Sequence, residues 1–117
     1  MRFEDDINTM IEWGKEEKQP DYVEFVEFLR DCHADKKPVV VEQDGVETEF
    51  VIYDIIFLYR KPFPDFDLSV QYLIDEKTKK RAKFNWNYAY MHMFKKIGKD
   101  AFSITTEDGK VSTIRCK

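Results

Sequence analysis

Glycine and proline are scarce in this chain, four of each in 117 residues, so it is neither a linker nor a low-complexity segment. Cysteine is scarcer still: Cys32 and Cys116 lie 84 residues apart and form neither a Cys-x-x-Cys pair nor a disulfide framework. They read as two buried free thiols, with spacing alone leaving a disulfide open. His33 and His92 are the only histidines, and they sit in segments of unlike character. No convergent ligand set emerges, so neither a metal nor a cofactor is expected. Gly-x-Gly-x-x-Gly, Gly-x-x-x-x-Gly-Lys and zinc or nuclease signatures are absent. No apolar run approaches the ~20 residues that span a bilayer. The start, Met1–Asp6, is polar and acidic where a secretory signal is basic and then apolar. The expected location is cytoplasmic.

Aromatic rings and charge are abundant. Ten Phe, six Tyr and two Trp predict a core rich in rings, with hydroxyl and indole groups that require partners. The length fits one domain, residues 1–117, burying roughly two thirds of its unfolded-chain surface. Charge divides the chain. Residues 1–58 hold sixteen acids against six Lys or Arg, and residues 59–117 hold seven acids against thirteen. Within the second half, residues 77–99 carry eight Lys or Arg and no acid, interleaved with Phe84, Trp86, Tyr88, Tyr90 and Phe94. Such a segment reads nucleic acid, meets an acidic protein surface, or neutralises the acidic half of its own domain.

Phe3, Ile7, Met10 and Ile11 recur at helical spacing, which predicts a short amphipathic helix over residues 3–13, stopped at Gly14. A second helix is expected from Asp21, placed as an N-cap with Glu24 completing a capping box. Tyr22, Phe25, Val26, Leu29 and Cys32 form its apolar stripe. From Val39 the period becomes extended. Val39–Val41 and a long, bent or bulged return strand Val46–Tyr59 flank Asp44–Gly45, a dipeptide suited to a tight hairpin turn. In a second hairpin, residues 66–74 alternate against 82–90. A three-residue turn at Lys77–Lys79 places Tyr72 opposite Phe84, Val70 opposite Trp86, Leu68 opposite Tyr88 and Asp75 opposite Arg81. Ala101–Thr106 and Lys110–Arg115 form a third hairpin around Asp108–Gly109, with Phe102, Ile104, Val111 and Thr113 on one face. Met91–Lys99 reads either as more strand or as a helical turn. The fold class is α+β: two N-terminal helices on one face of a mostly antiparallel sheet of about six strands, in three successive hairpins.

For function, the acidic helical face points to a protein-interaction domain. A small acidic inhibitor, immunity or adaptor-type protein, which includes mimics of nucleic-acid charge, engages a basic partner stoichiometrically through steering. The contact residues expected are Glu12, Glu16, Glu17, Glu24, Glu27 and Asp31. The partner is a basic protein, itself a nucleic-acid binder or an enzyme. An alternative is single-stranded nucleic-acid binding through Lys77, Lys79, Lys80, Arg81, Lys83 and Trp86. Trp86 is read first as a core ring. A second alternative is a small-ligand pocket or enzyme using Asp54, a carboxylate between Tyr53 and Ile55 in the most apolar strand. No second acid or histidine at a defensible spacing supports it, and a bulge that turns Asp54 to water accounts for the residue more simply.

Overall fold

The stripe Phe3, Ile7, Met10 and Ile11 folds as α1 (Arg2–Glu16), and Tyr22 to Cys32 folds within α2 (Pro20–Asp35). The computed structural model of the chain describes residues 2–60, 67–85, 89–106 and 108–117. Among the described residues nine strands follow the helices: β1 (Val39–Gln43), β2 (Val46–Phe50), β3 (Ile52–Arg60), β4 (Asp67–Asp75), β5 (Arg81–Asn85), β6 (Ala89–Tyr90), β7 (Phe94–Gly98), β8 (Ala101–Thr105) and β9 (Val111–Cys116). Every pairing among them is antiparallel. The α+β class is as expected; the strands, however, make two sheets rather than one. The first has the order β2-β1-β9-β8-β7, and the second has β3-β4-β5 with β6 beside β4.

α1 is longer than its sequence pattern suggests, because Gly14 does not stop it. A Cβ there would lie 2.7 Å from Val23 Cγ2 and 2.9 Å from Tyr22 Cδ2, so the missing side chain is what lets α1 and α2 approach. The helix ends instead at Lys18, held left-handed at φ 56°. Its N–H donates to Lys15 O, and that of Gln19 donates to Gly14 O, satisfying carbonyls the helix leaves open. α2 ends the same way at Lys36, φ 52°, with Lys37 N–H donating to Cys32 O. At its start Gln19 holds the cap position without a side-chain bond and Pro20 opens the first turn, where its missing N–H costs nothing. Asp21 is therefore not the cap.

α2 lies against the first sheet through rings. Phe94 on β7 meets Tyr22 edge-on at 4.9 Å and Phe25 at 5.0 Å, while Phe102 on β8 meets Phe25 at 5.7 Å and Phe28 at 5.4 Å. Burying each such ring contributes about 1.5–3 kcal/mol. The second sheet turns Ile52, Ile55, Leu73 and Ala82 inward.

The expected long strand breaks at Val51, and its two halves join different sheets. A register shift between Ile52 and Asp54 then lets both Ile52 and Ile55 reach the core. In the second hairpin residues 67–75 do pair with 81–85 and 89–90, but not in the expected register: Ile74 faces Arg81, Tyr72 faces Asn85 and Leu68 faces Ala89. The turn is the cause. Asp75 N–H donates to Lys80 O and Lys79 N–H to Asp75 O, closing a four-residue loop, Glu76–Lys79, with Lys79 left-handed at φ 58°. Trp86, Tyr88 and the contacts expected of them lie outside the described residues.

The third hairpin pairs Phe102 with Ile114 and Ile104 with Ser112. Ser112 and Ile114 therefore face inward, and Val111 is 58% exposed rather than core. Ser112 is tolerated inside because Gln43 Nε2 donates to its hydroxyl at 3.1 Å. Residues 91–98 combine both expectations, a 3₁₀ turn at Met91–Met93 followed by strand β7.

Candidate functional site

On α1, the buried residues Phe3, Ile7, Met10, Ile11 and Gly14 define the inner face, and Asp5, Glu12 and Glu16 fall opposite, exposed. Glu17 follows them, its N–H donating to Trp13 O. On α2, Glu24 and Asp31 are exposed and Glu27 is half-buried, all on the side away from Leu29. The six expected contact residues thus occupy outer helix faces, but their environments differ. Glu24 Oε1 accepts from Lys96 Nζ at 3.2 Å, and Asp31 Oδ1 accepts from Arg30 Nε at 3.1 Å. Among the described residues, Glu12, Glu16, Glu17 and Glu27 have no ion-pair partner.

Part of the charge division is satisfied inside the chain. Glu24 pairs with Lys96, Glu47 with Arg115 at 3.1 Å and Glu49 with Lys117 at 2.9 Å, each an acid of the first half with a base of the second. All are exposed, and such pairs contribute about 0–1 kcal/mol. Asp21, expected as a cap, has a different task. Its Oδ2 accepts the Lys96 backbone N–H at 3.0 Å, on the outer strand of the first sheet, and so occupies a donor that an unprotected edge offers to other chains.

The basic set is only partly gathered. Lys77, Lys79, Lys80 and Arg81 are exposed around the β4–β5 turn, and Lys79 Nζ sits 3.7 Å from the centroid of the Tyr53 ring. Lys83 belongs to β5, with its side chain outside the description. Trp86 is likewise outside it.

A cleft of about 600 Å³ opens where the start of α1, the end of α2 and β3 meet, lined by Phe3, His33, Tyr53, Asp54 and Glu76 among others. The His33 ring stacks on Phe3 at 3.7 Å, and its Nε2 lies 3.1 Å from Tyr53 O. A carbonyl only accepts, so Nε2 carries the proton of that contact. Asp54 is half-buried and accepts the Ile55 N–H at 2.8 Å; beside it, Lys36 Nζ donates to Glu76 Oε1 at 3.0 Å. Asp54 therefore does share a cleft with a histidine, which sequence reasoning missed. Nothing local in the sequence signals the approach of His33 to Tyr53, 20 residues on.

Among the described residues no group of three or more His, Cys, Asp or Glu side chains converges as a metal site, and no helix is long and apolar enough to cross a membrane. Comparison with protein-family models, curated proteins and solved structures finds no significant match.

Proposed function

We propose that the chain is a protein-interaction domain of the inhibitor, immunity or adaptor type, which engages a basic partner stoichiometrically through its acidic helical face. One observation carries this reading: Glu12, Glu16, Glu17 and Glu27 have no ion-pair partner among the described residues, although the fold supplies bases to acids elsewhere. Two of them also sit where their charge disfavours the helix. Glu12 and Glu16 are like charges four apart, worth about 0.2–0.5 kcal/mol against the helix. Glu16 also sits in the last turn of α1, where a carboxylate opposes the helix dipole by about 0.3–1 kcal/mol. Carboxylates left without an ion pair are suited to steering a cation-rich surface, an effect that reaches about 8 Å at physiological salt. Glu24 and Asp31, already engaged, form the border of the contact.

The test is capture from the source cell with two charge-reversed variants. Wild type and a variant with Lys77, Lys79, Lys80 and Arg81 changed to Glu should retain one basic protein. A variant with Glu12, Glu16, Glu17 and Glu27 changed to Lys should lose it. Capture of nucleic acid that disappears with the first variant, and weakens steeply with salt, would replace this reading by the nucleic-acid one.

The cleft favours a second reading, a small-ligand site, because it brings Asp54 and His33 to one wall. In that case Asp54→Asn and His33→Gln should abolish binding of a ligand found by small-molecule screening, with the captured protein unaffected.

A further inference from the structure

Contacts between α2 and the first sheet advance together along both elements. Phe25 meets Phe94 and Phe102, and Phe28 meets Phe102, which is paired with Ile114 on β9. Cys32 lies one turn beyond Phe28 on the same apolar stripe of α2. Cys116 lies two residues beyond Ile114 on the same sheet face, opposite Val39. Both series therefore run to a common end. The connector between α2 and β1 fastens that end from both sides, since Lys37 N–H donates to Cys32 O at 3.0 Å and Lys117 N–H donates to Pro38 O at 3.1 Å. Cys32 is 3% exposed within the core, and Cys116 is half-buried and packed against the same core. Both are free thiols.

We propose that Cys32 and Cys116 are a redox modification site, converted by a small disulfide of the glutathione class into an intramolecular disulfide that clips β9 to the end of α2. Cys116, the more exposed, reacts first. Its thiolate attacks one sulfur of glutathione disulfide and expels a glutathione thiolate, leaving glutathione bonded to Cys116. The Cys32 thiolate then attacks the Cys116 sulfur and expels the second glutathione thiolate. Two protein thiols lose their protons to two glutathione thiolates, and the two electrons reduce one glutathione disulfide. The second step is the slow one. Burial, and next Cys116 itself, pushes the Cys32 thiol up to about 12, with Asp100 and Asp31 adding to the rise and Lys37 opposing it. The reactive thiolate is thus rare at neutral pH, and its share grows about tenfold per pH unit below that value.

The experiment uses the full chain in graded mixtures of reduced and oxidised glutathione, quenched in acid and read by intact mass and peptide mapping. The expected product has lost two hydrogens, joins the Cys32 peptide to the Cys116 peptide, and returns to two thiols with dithiothreitol. A single glutathione adduct on Cys116 should precede it and convert faster as pH rises from 7 to 9. Cys32→Ala should stop at that adduct, and Cys116→Ser should form neither adduct nor link. Should Cys32→Ala not fold, the wild-type time course and Cys116→Ser still decide the matter. An adduct on Cys116 that never converts up to pH 9, or a link found only between two chains, overturns the proposal.

Discussion

The two helices carry similar acids to different ends. On α2, Asp21 and Glu24 reach β7 and bind the backbone and side chain of Lys96. On α1, Glu12 and Glu16 face away from the core, with no ion-pair partner among the described residues. The difference follows from position. α2 lies along β7, which supplies a base, whereas α1 lies on α2 and reaches a strand chiefly at β3. A count of carboxylates therefore does not identify a binding face; the count that matters is what remains after the fold has taken its own.

The contact between α2 and β7 centres on one ring. Phe94 is 1% exposed, between Tyr22 and Phe25, and Phe94→Ala should cost about 3–5 kcal/mol in chemical denaturation. A loss below about 1 kcal/mol would mean that α2 is not fixed to the sheet, and that its acids are as uncommitted as those of α1.

The α1 side is tested at Gly14. Alanine would favour the helix by about 1 kcal/mol, but its Cβ would press on Val23 and Tyr22 at under 3 Å, and overpacking of this kind costs about 1–3 kcal/mol. Gly14→Ala should lose about 0–2 kcal/mol net in the same denaturation assay. A gain would show that α1 is free to move off α2.

Gly14 also shows what was legible in the sequence. The apolar stripes of both helices, and Asp44–Gly45 and Asp108–Gly109 as turns, are local signals and fold as read. The end of α1 was misplaced because the left-handed residue that closes it is a lysine, Lys18, where glycine is the usual marker. The break at Val51 has no marker: the first half folds back on β1, and the second leaves for the other sheet because its partner, β4, comes later in the chain. Registers in the second and third hairpins slipped because loop length sets them, and Lys79 lengthens one turn by a left-handed step that glycine ordinarily signals. For the candidate sites, residue types were legible and partners were not: Lys96 is 72 residues from Glu24.

Tyr22 offers a smaller effect of opposite sign. Its hydroxyl is buried with no hydrogen-bond partner among the described residues, and such a group costs about 1–3 kcal/mol. Tyr22→Phe should therefore raise stability by about 1 kcal/mol at pH 7. Burial also pushes the phenol far above its ordinary range, so the folded chain keeps it neutral while the unfolded chain ionises above about pH 10. Stability attributable to Tyr22 is complete below that pH and falls as pH rises beyond it. Alkaline denaturation of Tyr22→Phe should lack this share; an unchanged profile with lower stability would mean that the hydroxyl is satisfied.

One acid of each helix can be tested side by side. A double-mutant cycle of Glu24→Ala with Lys96→Ala isolates their interaction from what each makes separately. The pair is exposed, so the coupling should be about 0.2–1 kcal/mol and should shrink in 1 M salt. Glu16→Gln on α1 should give the opposite sign, a gain of about 0.2–0.5 kcal/mol, because it removes repulsion from Glu12 at the dipole-disfavoured end of the helix. If Glu16→Gln destabilises the chain as much as breaking the Glu24 pair does, Glu16 has a stabilising role within the fold. It then leaves the set of acids assigned to a partner. If instead it stabilises the chain and weakens capture of the basic protein, the helix holds that charge against its own stability for the sake of binding.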